Sequence, residues 1–381
     1  MDLSCWEIHF LPDDVCNLYS LQTLILSYCM ELVELPNFYL KALEVHNYPG
    51  VRFPNWLGEH CFSMLTSLHL SGGRHCSELP VLAQLKLLKE LKIAYFDSIV
   101  SIGPEFYGIN SCNKKSFPSL EKLAFLNMPR LQQLMPPPRT SHHLPVMDDD
   151  EHCPVLETIE SVAGIESTVS LEDSDALEEL SKHMHSLLPS LTELTLSFCT
   201  KLRSFPGGGL PSSIEILKIS DCPGIESSPE GGFPSNLKEL EIRSCGKLVA
   251  GRKNWGLRAL QSLSSLCIDG SEEVLESFPE ETFLPPSLNS LQLWNLTHLK
   301  SLYYKGLEHL SSLSELKLYL CPELQSFPEE GLPSSLQFLE INRCHKTLEE
   351  RCQGNGGDWH KISHIPRIKI NYKEIKRRQI T

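Results

Sequence analysis

Cysteine and histidine are the residues with the most chemical capacity in this 381-residue sequence, fourteen of the one and fifteen of the other. Their densest cluster comprises His142, His143, Asp148, Asp149, Asp150, Glu151, His152 and Cys153. Imidazole, carboxylate and thiolate could together hold a zinc-like ion, but a closed site needs the paired spacing of a Cys/His module, which this run lacks. Its surroundings, PPPRTSHHLPVMDDDEHC, read as an exposed loop. A Cys–His nucleophile would need a partly exposed thiolate, whereas six of the fourteen cysteines fall in an inward-facing slot where reactivity is suppressed. A phosphate-cradling G-x-x-x-x-G-K-[ST] loop is absent; GGGLPSS at 207–213 lacks the lysine and follows no suitable strand. Asn295 opens a glycosylation sequon that stays idle without a secretory signal. The expectation is a protein with no catalytic residues, no cofactor and no metal.

The elements that position these residues repeat. The phrase LTELTLSFCTKLRSFP at 191–206 carries its apolar frame at Leu191, Leu194, Leu196, Cys199, Leu202 and Phe205. Marking the second residue of each central L-x-L pair gives Leu196, Ile219, Ile242, Ile268, Leu293, Leu318 and Ile341, in steps of 23, 23, 26, 25, 25 and 23. A period in the twenties with this frame is the leucine-rich-repeat signature: a short strand and a turn whose leucines are buried only when the next repeat stacks on them. The predicted fold is an α/β solenoid, a leucine-rich-repeat horseshoe with a concave parallel β-sheet. Connections such as FPGGGLPSS and FPEEGLPSS are short and proline-rich, so the convex side should be irregular or 3₁₀ rather than built of long helices.

Composition agrees with one elongated domain. Hydrophobic residues make up 41% and aromatics only 8%, as a leucine frame requires, and a net charge near −14 argues against nucleic acid as a partner. No secretory signal and no stretch of about 18 apolar residues is present, so no membrane span is expected. Six cysteines (Cys29, Cys199, Cys222, Cys245, Cys321 and Cys344) share one inward slot just past L-x-L, which predicts a ladder of buried reduced thiols and a cytoplasmic or nuclear compartment.

Along the chain, residues 1–134 read as N-terminal repeats that start mid-repeat, with Asp2-Leu3-Ser4 as a strand end. The 19-residue step from Leu26 to Val45 suggests a deletion of repeats, and the 32-residue step from Ile93 to Phe125 a loop insertion at 103–117. Residues 135–188 lose the rhythm and form an irregular insertion with one helix starting at Ser174, which has an N-cap serine and acids in the first turn. Residues 189–343 are regular C-terminal repeats. Residues 344–381 form a C-terminal cap ending in a strand at Ile368 and Ile370 and a basic tail.

In each strand the leucines point inward and the residues between them point out along the concave face. Residues in the same slot of adjacent strands become lateral neighbours about 4.8 Å apart. Trp294 and Tyr319 then share one column and Phe338 lies in the opposite one. With Glu315, Lys317, Gln292, Arg243, Glu241 and Lys218 they make the candidate protein-binding surface, because aromatics flanked by charges are typical of binding hot spots. Glu340 and Asn342 of the last repeat and Cys267 are also assigned outward positions.

Four segments carry a more specific resemblance: LPDDVCNLYSLQTLILSYCMELVELP (11–36), FPNWLGEHCFSMLTSLHLSG (53–72), IGPEFYG (102–108) and CHKTLEERCQGNGGDWHKISHIP (344–366). They resemble the repeat region of plant intracellular immune receptors of the coiled-coil, nucleotide-binding, leucine-rich-repeat class. The resemblance implies a non-catalytic recognition module that senses a pathogen effector or a guarded host protein, and that contacts the receptor's own nucleotide-binding domain when part of a longer chain. The missing phosphate loop implies a fragment of a receptor or a truncated product carrying only the sensor. Two other classes use such repeats. A substrate adaptor for ubiquitin ligation would need an N-terminal ligase-docking domain, and an extracellular receptor ectodomain is disfavoured by the missing signal and the unpaired cysteines.

Overall fold

The computed structural model describes residues 2–3, 21–29, 39–53, 57, 62–103, 106–107, 116–134, 187–206, 209–270 and 275–375. Among these residues the spine is a sheet of fourteen strands. In order, these are β1 (Thr23–Ser27), β2 (Ala42–His46), β3 (Ser67–Ser71), β4 (Glu90–Ala94), β5 (Lys122–Leu126), β6 (Glu193–Ser197), β7 (Ile216–Ser220), β8 (Glu239–Arg243) and β9 (Ser265–Asp269), then β11 (Ser290–Trp294), β13 (Glu315–Tyr319), β14 (Phe338–Asn342), β15 (Arg367–Ile370) and β16 (Lys373–Glu374). All pair parallel except the final hairpin of β15 and β16. The two strands outside this sheet, β10 (Ser277–Phe278) and β12 (Ser301–Leu302), pair with each other. The molecule is a leucine-rich-repeat solenoid.

Each five-residue strand buries its second and fourth side chains, as in Leu194 and Leu196 of β6 or Leu316 and Leu318 of β13, all fully inaccessible. Period-two alternation thus turns the L-x-L pair into core and leaves the first, third and fifth positions on the concave face. Truncating one of these leucines to alanine should cost roughly 2–5 kcal/mol through the cavity it leaves. The irregular spacings do not interrupt the ladder. β1 pairs directly with β2 across the short step, β4 with β5 across the long one, and β5 with β6 across the insertion. The inserted helix expected from Ser174 and the tail beyond Ile375 lie outside the described residues.

Every strand from β1 to β8, and β11, β13, β14 and β15, is followed by a residue with positive φ: Tyr28, Asn47, Gly72, Tyr95, Asn127, Phe198, Asp221, Ser244, Asn295, Leu320, Arg343 and Asn371. Left-handed backbone at this one slot turns the chain from the sheet into the core and directs the next inward side chain. After β1 to β7, β11 and β13 its N–H donates to the carbonyl ending the next strand, as from Phe198 to Ser220 (3.0 Å) and from Leu320 to Asn342 (3.0 Å), whereas the Arg343 N–H donates to Asn371 Oδ1 (2.9 Å). One residue further on stands the cysteine ladder, where Cys222 Sγ donates to the Ser220 carbonyl at 3.2 Å and Cys245 Sγ to Arg243 at 3.1 Å. The neighbouring thiols of Cys199 and Cys222 act on each other, which pulls Cys199 down and pushes Cys222 up in pKa; in the same way Cys344 is lowered and Cys321 raised.

Among the described residues the convex side carries only short helical turns, such as Gly246–Ala250, Gly251–Asn254 and Tyr304–Leu307. No helix among the described residues is long and apolar enough to cross a membrane.

The motifs that stand out from a generic repeat serve packing. Tyr107 of the EFYG segment is buried, donates its hydroxyl to the Leu134 carbonyl at 3.0 Å and packs edge-on against Phe106, which also meets Phe117. Phe53 of FPNWLG stacks on Tyr48 with centroids 4.7 Å apart. At the C-terminus Asp358, fully buried, accepts from Arg351 (2.7 Å) and from the Phe327 N–H (2.9 Å), while buried Lys361 donates to the Phe327 carbonyl (3.0 Å) and to Glu329 (2.9 Å). This clamp ties the cap onto the last full repeat. Gly356 makes room for it, since a Cβ there would collide with the Arg351 carbonyl.

Candidate protein-binding face

Three columns run along the concave sheet, set by strand register. The candidate residues fall in the part of these columns between β7 and β14. Trp294 and Tyr319 are register partners in the fifth-position column, and their rings stack with centroids 3.8 Å apart and planes 12° from parallel. Arg243 reaches them from β8, two strands before β11, and places its guanidinium carbon 4.9 Å from the Trp294 ring centroid. A cation over the π face of tryptophan is attractive, so Arg243, Trp294 and Tyr319 form a continuous layered platform. Arg243 forms an ion pair with Glu241 of the same strand, whose Oε1 lies 2.6 Å from its Nε. The Trp294 indole N–H is buried and has no hydrogen-bond acceptor among the described residues.

Both rings are half-buried rather than fully solvent-facing, which corrects the expectation from alternation alone. The cause is the stack itself and the C-terminal cap. Burial, and then hydrogen bonding to Glu340, push the Tyr319 phenol well above its ordinary pKa, so it remains a neutral donor to that carboxylate. Glu340 and Asn342 are themselves buried: Asn342 Nδ2 donates to Glu340 Oε1 at 2.9 Å, and its Oδ1 accepts from the Tyr372 N–H at 2.9 Å. The turn between β15 and β16 therefore closes over two positions assigned to the open face. Cys267 is a second correction, for the third position of β9 is buried as well and its thiol is pushed up to about 12, first by that burial.

Phe338 starts β14 in the first-position column, beside Glu315 and Arg367. Lys317, Arg367 and Lys369 place their charges 5.8, 5.3 and 5.6 Å from its ring centroid. Most of the other candidates are paired within the face. Lys317 Nζ lies 3.1 Å from Glu315, which also accepts from Ser290 at 3.2 Å, and Lys218 Nζ lies 3.5 Å from Glu239 and 3.9 Å from Glu193. Gln292 stands in register with Lys317 and Cys267, half-buried in the middle column. This arrangement offers aromatic faces and fixed, alternating charges; it suits recognition by packing and hydrogen bonds.

Two features escaped the sequence reading. The left-handed slot places large apolar side chains on the rim of the sheet, with Tyr95 56%, Phe198 50% and Leu320 38% exposed. Counting one residue past each strand would have revealed this row. The other is a cluster of Glu44, His46 and His69 on β2 and β3, whose ligand atoms lie within 4.8 Å of one another. Extending the column reading to the N-terminal repeats would have found it, because Glu44 and His69 are register partners. The His142–Cys153 cluster lies outside the described residues.

Comparison with known proteins places these repeats. Residues 35–96 match the family model described as R13L1/DRL21 leucine-rich repeats. A segment of 120 residues is 40% identical to a protein of Arabidopsis thaliana named as a disease resistance protein, covering 32% of this chain and 8% of that one. Over 102 residues the chain is 36% identical to the disease resistance RPP13-like protein 1 of the same plant, covering 26% of this chain and 10% of that one. It is 28% identical over 193 residues to the disease resistance protein RGA1 of Solanum bulbocastanum, 45% of this chain and 19% of that protein. The matched segments thus span a fifth or less of these relatives' length. Among solved structures, the chain resembles the leucine-rich-repeat protein of Leptospira interrogans (TM-score 0.43, 18% identity, 97% of this chain and 94% of that one). It also resembles the repeat domain of the type III effector XopL (TM-score 0.39, 18% identity, 77% and 75%). Over these segments the chain is similar to plant proteins named as disease resistance proteins.

Proposed function

We propose that this repeat region is a non-catalytic recognition module of a plant immune receptor, which binds a pathogen effector or a guarded host protein through the concave face of its C-terminal repeats. The observation that carries this reading is the Arg243–Trp294–Tyr319 platform, an aromatic stack of low conformational freedom at the centre of a charged, ordered sheet. Half-buried aromatics with an arginine are the residue types that dominate binding energy in protein interfaces. The flanking ion pairs, Glu315 with Lys317 and Glu241 with Arg243, would set specificity and association rate more than affinity. The relatives are named as disease resistance proteins, which supports the immune role.

Hydrogen exchange of the chain with and without a cognate effector or host protein tests the reading. Protection concentrated on β8 to β14 supports it, whereas protection confined to the convex turns or to the repeats before β5 refutes it. Calorimetric titration with ATP and magnesium should give no saturable heat, in line with the absent phosphate loop.

A further inference from the structure

We propose that Glu44, His46 and His69 form a binding site for a divalent transition-metal ion of the zinc class, on the concave face of the N-terminal repeats. Two imidazoles and one carboxylate are the donor set of three-ligand zinc sites, which keep a fourth position for water or an incoming group. Here the donors come from adjacent strands. Glu44 and His69 are register partners, and His46 stands two residues along β2 on the same face. The three ligand atoms lie within 4.8 Å of one another, and the two imidazole rings meet edge to face with centroids 4.9 Å apart.

Around a tetrahedral ion with bonds of about 2.0–2.1 Å, donor atoms stand about 3.3 Å apart. His46 Nε2 and Glu44 Oε2 are 2.9 Å apart and would open by a few tenths of an ångström as the ion replaces their hydrogen bond. His69 would close by side-chain rotation on a fixed strand. Two details point to an ion rather than to a purely structural network. The first is His69 Nε2, buried and without a hydrogen-bond partner among the described residues, which leaves a nitrogen uncompensated on a ring that meets His46 edge to face. The second is Ser71, whose Oγ lies 2.6 Å from His46 Nδ1. A hydrogen bond to the remote nitrogen of a ligating histidine fixes its tautomer and aims the other nitrogen at the metal. Lys92, in register with His69, opposes a cation, and the Glu44 carboxylate offsets it.

The test is uptake of cobalt(II) and zinc(II) by the full chain, followed by optical spectroscopy and calorimetry. The expected result is one tight equivalent with a tetrahedral cobalt spectrum and no thiolate-to-cobalt charge-transfer band. His46→Gln and His69→Gln should each abolish it. Ser71→Ala should weaken it by about 10–100-fold, the usual effect of losing an outer hydrogen bond to a ligand. Matching circular dichroism and thermal midpoints of the metal-free variants show that the fold is retained, as expected for half-buried positions filled by a polar residue of similar size. A control with His142, His143 and His152 replaced by alanine should keep the site. Failure to take up metal, a thiolate band, uptake that survives both His46→Gln and His69→Gln, or its loss in the control would each overturn the proposal.

Discussion

The indole of Trp294 lies face to face with the phenol of Tyr319, 3.8 Å between centroids, although 25 residues separate them in sequence. Parallel register makes this possible, since residues one repeat apart become lateral neighbours. Aromatic pairs contribute about 0.5–1.5 kcal/mol beyond their area burial. A double-mutant cycle of Trp294→Ala and Tyr319→Ala, read by urea unfolding, should therefore give a coupling energy in that range. Additive effects would show that the rings do not support each other.

The C-terminal clamp should be the most costly polar feature to break. Burial alone would raise the Asp358 carboxyl, but Arg351, the Phe327 N–H and Lys361 outweigh it and hold the group below the usual carboxylate range. Asp358→Ala leaves Lys361 buried without that partner and should cost about 3–5 kcal/mol. A carboxyl with depressed folded pKa stabilises fully above its unfolded value of about 3.9, and that contribution is lost as pH falls through the folded value. The difference in unfolding free energy between the native chain and Asp358→Asn should accordingly be large at about pH 6 and shrink on acidification below about pH 4. A difference independent of pH would contradict the assignment.

At the left-handed slot the chain uses Asn47, Asn127 and Asn295 in some repeats and Leu320 in another. Leucine pays about 1–2 kcal/mol for this conformation and asparagine much less. Leu320→Asn should leave stability unchanged or raise it by up to about 1 kcal/mol. Leu320→Pro should lower it by about 3 kcal/mol or more, because φ of 55° is inaccessible to proline and the bond to the Asn342 carbonyl is lost. Chemical denaturation of both variants decides the matter, and a destabilised Leu320→Asn would mean that the leucine packs on something essential.

Thiol chemistry gives an independent check on which cysteines the core encloses. Cys76 is fully buried, and burial pushes its thiol up to about 11. It should resist iodoacetamide in the native chain at neutral pH, as should Cys222 and Cys321, and all three should react on unfolding. Peptide mass spectrometry reads the labelling site by site; rapid native labelling of Cys222 would remove the ladder from the core.

Much of this architecture is legible from L-x-x-L-x-L alone, because period-two alternation and a fixed repeat length determine both the buried positions and the lateral neighbours. The Trp294–Tyr319 contact follows from counting. Register does not reveal what a distant segment covers: alternation puts Glu340 and Asn342 on the open face, and the hairpin at Tyr372 closes over them. Nor does alternation report on the residue after the strand, where the rings of Tyr95 and Phe198 are exposed. Asp358 and Lys361 looked like marks of kinship; only the structure shows the buried ion pair, with 3.2 Å between Lys361 Nζ and Asp358 Oδ1, that makes those types necessary.

The most direct test of the recognition surface is the affinity of Trp294→Ala for a cognate effector or guarded host protein, measured by surface plasmon resonance beside its thermal midpoint. The loss expected is about 2 kcal/mol or more, at least about twentyfold in Kd, with little change in stability. Normal binding by both Trp294→Ala and Tyr319→Ala, with binding abolished instead by changes near Trp56 or within residues 135–188, would contradict the account and move the surface to the other end of the solenoid.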